Sequence, residues 1–187
     1  MQATRTLMQE HRVIERVLTA LELASGRVNQ GEEMRPAFFV NTALFIRNFA
    51  DGCHHHKEEG LLFKAMNAAG IPSTGGPLAV MLAEHEQGRE LTRAMLEAAQ
   101  HWEAGKLDAR AFAAQNAFGY ASLLRQHIHK EDQILFPLAE RAIPAQMQVL
   151  LDQDFEQAVQ QETAAGLPEK YLALAEVLEK ESERRIA

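Results

Sequence analysis

Cys53-His54-His55-His56-Lys57-Glu58-Glu59-Gly60-Leu61-Leu62-Phe63 is a stretch that the chain writes twice. Residues 127–136, His-Ile-His-Lys-Glu-Asp-Gln-Ile-Leu-Phe, align with 54–63 without a gap. His54 meets His127, Lys57 meets Lys130, Glu58 meets Glu131, Leu62 meets Leu135 and Phe63 meets Phe136. In each copy a histidine precedes a glutamate by four residues, the spacing that stacks two side chains on one face of a helix. Each copy therefore offers an imidazole and a carboxylate to the same point, which is a pair of metal ligands.

The repeat reaches back into the preceding segments. Glu10-His11 has a counterpart in Glu84-His85, and each lone histidine precedes its His-x-x-x-Glu by a similar distance, 43 residues in the first half and 42 in the second. Internal self-similarity fixes architecture, and here the repeating unit is one helical hairpin. Two hairpins make an all-α, up-down-up-down four-helix bundle, and two additional C-terminal helices follow it. Residues 1–143 are assigned to the bundle and 144–187 to a C-terminal helical extension, packed on the bundle or on a partner.

The first helix is expected from about Thr4 to Ala24, stopped by Ser25-Gly26. The second runs from Phe38 to Ala69 after Pro36, and the third from Pro77 to Glu103. The fourth starts near Asp108, a plausible N-cap, and continues to about Arg141, with a bend or early end at Pro137. Residues 145–163 and 168–186 read as the C-terminal pair, with Met147, Leu150, Leu151, Phe155, Leu172, Ala175 and Leu178 as apolar positions. Nothing alternates with period two over a useful length, so no strand is expected. With about 1.5 Å rise per residue, the distances from the turns bring His11, His54, His85 and His127 to within a turn or two of one level.

The 187 residues and 47% apolar content suit one domain with a sizeable core. A net charge of −7, with no basic stripe, argues against nucleic acid as partner. The single cysteine, Cys53, excludes an internal disulfide and suits a reducing compartment. The N-terminal stretch holds no signal-like apolar run, and no segment has the roughly 20 apolar residues of a membrane span. A cytoplasmic protein with no membrane partner is the expectation.

His11, His54, Glu58, His85, His127 and Glu131 are the candidate ligands. His56 and His129 lie two residues beyond His54 and His127, about 200° round a helix, and should face away. His101 sits beside a helix end and is set aside. His55 and Glu59 are also four apart, but His55 aligns with Ile128, so the repeat favours the His54/Glu58 frame. Inward carboxylates are costly to bury unless paired or bound to metal. Four imidazoles and two carboxylates are many for one ion and natural for two, with Glu58 and Glu131 bridging. Mixed nitrogen and oxygen donors with open positions suit iron, ahead of manganese or zinc.

These motifs resemble the hemerythrin-like, or HHE cation-binding, domain family over about residues 4–141. The resemblance implies a carboxylate-bridged di-iron centre inside a four-helix bundle. The chain departs from the oxygen carriers of that family at Arg89, where they have a fifth histidine. It departs again at Glu131, which follows His127 by four residues instead of five. That departure points toward sensing, nitric-oxide chemistry or iron–sulfur repair, with O2, peroxide or NO as the small molecule. Tyr120, seven before His127 on the same face, is either a hydrogen-bond partner for a bound small molecule or an ordinary core tyrosine. The alternative function is a non-enzymatic iron-responsive module, whose C-terminal helices engage a protein partner or a second copy. No Glu-x-x-His motif of a ferritin-like oxidase and no phosphate loop or hydrolase triad is present.

Overall fold

The computed structural model describes residues 1–184, and every regular element among them is helical. Helix α1 spans Gln2–Asn29. Helix α2 occupies 36–68: it opens as Pro36–Phe45, widens to π geometry over Ile46–His55 and again over Glu58–Leu62, and closes as Phe63–Ala68. Helix α3 is Gly76–Glu103. Helix α4 occupies 109–142, with a third π segment at Glu131–Leu135. Helices α5 (Ala145–Ala164) and α6 (Leu167–Glu183) complete the described chain. The expected end of the last helix at Ile186 lies outside the described residues.

One boundary and two local details differ from the sequence reading. Helix α1 runs through Ser25-Gly26, because Ala24, Ser25 and Val28 are buried and the Ser25 hydroxyl donates to the Leu21 carbonyl. Tertiary packing thus outweighs the cost, about 1 kcal/mol, of a mid-helix glycine. Gly31, at φ 80°, makes the turn instead. Asp108 makes no side-chain cap at the start of α4. Pro137 neither ends nor interrupts α4, which continues to Ala142 with the π turn directly ahead of the proline. A proline in a helix lacks the N–H that its preceding turn would bond, so a widened turn there sacrifices less.

The bundle helices form a ring in which α1 packs on α4, α4 on α3 and α3 on α2. Helix α6 covers the α1/α2 face, burying Tyr171 against Phe45 and Phe49 with ring centroids 6.0 and 5.5 Å away. Leu151 and Phe155 of α5, and Ala175 and Leu178 of α6, face inward as expected. Leu150 and Leu172 do not: both are exposed, and Tyr171 takes the inward place beside Leu172. The apolar core is split into two clusters. One holds Ile14, Leu18, Phe39, Phe45 and Trp102; the other holds Leu7, Leu62, Phe63, Met81 and Phe136. In α1, His11 falls between Leu7 of one cluster and Ile14 of the other, so a polar layer separates the two.

Candidate metal centre

The layer is built from one side chain or pair per helix. α1 contributes His11, α2 His54 and Glu58, α3 His85, and α4 His127 and Glu131, and all six are at most 1% exposed. Glu58 spans two helices, with Oε1 3.5 Å from Nε2 of its own His54 and Oε2 3.5 Å from Nε2 of His85. Glu131 does the same in the other half, 3.2 Å from His127 Nε2 and 3.2 Å from His11 Nε2. The repeat is thus carried into geometry: each glutamate reaches the histidine four before it and one from the other hairpin.

The outer nitrogens are equally ordered. Asp132 accepts from His11 Nδ1 at 2.7 Å, Glu10 from His54 Nδ1 at 2.9 Å, Glu59 from His85 Nδ1 at 2.7 Å and Glu84 from His127 Nδ1 at 2.9 Å. A carboxylate on Nδ1 fixes ring orientation and leaves Nε2 as the inward donor atom, the usual outer support of a metal-binding imidazole. Two of these acids, Glu10 and Glu84, precede the lone histidines; the other two, Glu59 and Asp132, directly follow Glu58 and Glu131. Phe63 and Phe136, also repeat partners, stack on His85 and His11 at 5.9 and 5.5 Å.

His55 is the residue that sequence reasoning set aside and the structure brings in. It is buried, its ring stacks on His85 at 3.9 Å, and it joins Glu58, His85 and His127 in one cluster of candidate donor atoms. The second cluster is His11, His54, Glu58 and Glu131, so Glu58 belongs to both. The π geometry of Ile46–His55 explains the difference, since a wider turn reduces the angle between consecutive residues and lets His54 and His55 both face inward. Asp51, four before His55 and 3.5 Å from its Nδ1, was the available signal. His56, His129 and His101 are exposed. Cys53 is buried, and its thiol donates to the Asn48 carbonyl.

Burial alone would lower the histidine pKa values, but the carboxylates overcome it for three of them. His11 is pushed up to about 10 by Asp132 and Glu131, and His85 to about 9 by Glu58 and Glu59. His127 is also raised, chiefly by Glu131. Burial would raise Glu131, yet His127 and His11 hold it well below the usual carboxylate range. His55 moves the other way, held well below its ordinary value by burial and then by His85.

Several buried polar atoms have no hydrogen-bond partner: both carboxylate oxygens of Glu58, both of Glu131, and Nε2 of His11. Orphaned carboxylate oxygens in a buried layer are expensive unless something else satisfies them. Imidazole nitrogens and carboxylate oxygens aimed at a shared point are the donor set for a borderline or hard divalent cation. The residues fit a metal. The chain matches the model of the hemerythrin HHE cation binding domain over residues 2–139. It belongs to that family.

This hemerythrin-like chain is 31% identical over 136 residues to an uncharacterized protein of Mycobacterium tuberculosis and to one of Mycobacterium bovis. The match covers 72% of this chain and 52% of each relative, so the chain spans about half the length of the curated relatives it matches. No solved structure gives a significant match. No helix among the described residues is long and apolar enough to cross a membrane.

Proposed function

We propose that His11, His54, Glu58, His85, His127 and Glu131, joined by His55, hold two iron ions and that the protein binds or reacts with O2, peroxide or NO. The observation that carries this reading is the set of unpartnered buried oxygens on Glu58 and Glu131, facing imidazoles whose other nitrogens already have carboxylates. Seven buried donor residues in two clusters with a shared glutamate support a pair of ions over one. Bound iron would supply Lewis acidity and one-electron redox chemistry toward a small molecule. The chain supplies the rest. Asp132, Glu10, Glu59 and Glu84 each hold a proton on an Nδ1 and keep the ring aimed inward. The apolar clusters above and below the layer exclude water, which strengthens electrostatic interactions inside it.

Metal analysis of protein purified without added metal, then anaerobic reconstitution with ferrous iron and exposure to O2 or NO, tests the proposal. Two irons per chain and a new near-ultraviolet or visible band are expected. Failure to retain iron would overturn the metal assignment. Two bound irons with no spectral response to either gas would overturn the small-molecule assignment alone.

A second reading, an iron-responsive module working through its C-terminal helices, has one observation in its favour. Glu162 of α5 accepts two hydrogen bonds from the buried Lys57 ammonium at 2.6 and 2.8 Å, Lys57 pairs with Glu10 at 2.9 Å, and Glu10 holds His54. The extension is therefore linked to the layer through three side chains. Val149, Leu150, Leu172 and Val177 remain exposed on its outer faces. If metal loading changed the affinity of a partner or a second copy for this face, and truncation of residues 145–187 removed that effect, the regulatory reading would be favoured.

A further inference from the structure

A cavity of about 270 Å³ opens between α2 and α3 beside the imidazole-rich cluster. His55 and His85 line it, together with Tyr120. Tyr120 is 1% exposed and its hydroxyl has no partner. Ala43, Ile46 and Leu96 provide apolar wall. Three arginines, Arg47, Arg89 and Arg93, complete it together with Asp51, Gly88 and Thr92. Arg89 is tied to Asp51 at 2.7 Å and to Glu59 at 3.3 Å, and so spends its charge on carboxylates already present. Arg47 and Arg93 are exposed, and no hydrogen bond or ion pair engages either among the described residues.

The charge balance is what makes the cavity unlike the rest of the molecule. The whole chain carries a net −7, yet Arg47, Arg89 and Arg93 line this opening against one carboxylate, Asp51. Free guanidinium groups at the mouth of an apolar-walled pocket recognise carboxylates, often with two parallel hydrogen bonds. Apolar walls with a few placed polar groups are also the general form of a small-molecule site. A hydrated inorganic anion would gain from the arginines but nothing from Ala43, Ile46 and Leu96.

We propose that this cavity binds a small organic monocarboxylate, with its carboxylate on Arg47 and Arg93 and a short apolar chain along Ala43, Ile46 and Leu96 toward His55 and Tyr120. The ligand would thus lie against the imidazole-rich side of the metal layer, with the Tyr120 hydroxyl available as a donor at the inner end. Binding there uses the cavity's own residues and is independent of whether the layer is loaded with metal. Its failure is therefore separable from failure of the metal assignment.

Isothermal titration calorimetry of the full chain, metal-free and iron-reconstituted, with butanoate, hexanoate, hexan-1-ol and inorganic phosphate is the test. Saturable binding of one hexanoate per chain is expected, at least tenfold tighter than hexan-1-ol or phosphate. Affinity should rise by roughly fourfold per methylene from butanoate to hexanoate, the increment for burying one CH2. The double variant Arg47→Gln/Arg93→Gln, on two exposed side chains, should lose at least tenfold in hexanoate affinity and leave hexan-1-ol unchanged. Absence of saturable hexanoate binding, equal binding of phosphate, or unchanged hexanoate affinity in the double variant would each overturn the proposal. If iron is not taken up, the metal-free titration decides it alone.

Discussion

Replacing inner and outer carboxylates one at a time separates ligands from supports. Glu58 offers an oxygen to both clusters of donor atoms, so Glu58→Ala removes a donor from each and should abolish uptake of the ion pair. Glu59, the next residue, reaches the outer nitrogen of His85 and the Arg89 guanidinium and belongs to neither cluster. Loss of such an outer partner costs about 10–100-fold in metal affinity, or about 1.4–2.8 kcal/mol. Glu59 is 33% exposed and shared with Arg89, so water can replace it, and Glu59→Ala should fall near the tenfold end. Asp132, its repeat counterpart on His11, is 9% exposed and also pairs with Arg12, so Asp132→Ala should fall near the hundredfold end. Competition against a chelator of known affinity gives the binding constant, and metal analysis gives the stoichiometry. Both outer variants should still bind two ions at saturation. Equal and complete metal loss in Glu59→Ala and Glu58→Ala would refute the division into inner and outer carboxylates. So would a larger effect at Glu59 than at Asp132.

Other perturbations follow from the same geometry. His55→Ala should weaken one ion much more than the other, seen as two unequal steps in a metal titration where the parent protein has closely spaced ones. Metal uptake at pH 7 should expel protons, because His11 (about 10) and His85 (about 9) are protonated without metal; calorimetry in buffers of different ionisation enthalpy counts them. Their raised values stabilise the metal-free fold fully below the ordinary histidine pKa of about 6.5, and that contribution is lost as pH rises through 9 and 10. The melting-temperature gap between loaded and metal-free protein should therefore widen with pH; a gap that narrows would contradict the proton competition. Lys57→Met should cost about 3–5 kcal/mol in denaturant unfolding, since it leaves Glu10 and Glu162 facing each other without a cation. Its repeat counterpart Lys130, 33% exposed, should cost at most about 1 kcal/mol on the same change.

The convergence of six side chains was legible because two independent signals agreed: helical spacing within each copy, and alignment between copies. The outer acids were legible in part, since Glu10 and Glu84 stand beside His11 and His85, but spacing alone does not say that each supports the histidine of the next helix. Helix ends were the least legible. Ser25-Gly26 carries every local mark of a stop, and only the burial of Ala24 and Val28 against other helices overrides it. His55 was missed for a backbone reason. It was set aside because it aligns with Ile128, an alignment blind to backbone geometry, whereas Ile46–His55 bonds with the wider π turn and brings it inward. Gly52 fits that turn: a Cβ there would lie 3.2 Å from the Arg47 carbonyl, five residues back. Neither Gly52 nor any other residue in the stretch announces a π turn on its own.

The places where the two halves stop matching bear on how the layer would work. His55 corresponds to Ile128, which is buried as an ordinary apolar residue, so only the first copy adds an imidazole. Lys57 is sealed under Glu162 of α5, while Lys130 remains partly exposed beside Glu84. His55 and His85, in the cluster with three histidines, form part of the wall of the cavity. The cluster of His11, His54, Glu58 and Glu131 has Phe136 against it and none of its residues lines that cavity. Two ions held this way would differ in donor set and in access. An imidazole-rich, reachable position suits a small molecule, and a carboxylate-rich, enclosed one suits an ion that stays fully coordinated. Enlarging the enclosed side should test the distinction. Phe136→Ala removes the ring stacked on His11 and should lower stability by about 3–5 kcal/mol. If access is confined to the cavity, the rate of NO binding to the loaded protein should still change less than twofold in Phe136→Ala. Substitution of Leu96 by Trp, which fills the cavity, should slow it at least tenfold. Equal rates in the Leu96→Trp variant and the parent would show that the small molecule enters elsewhere.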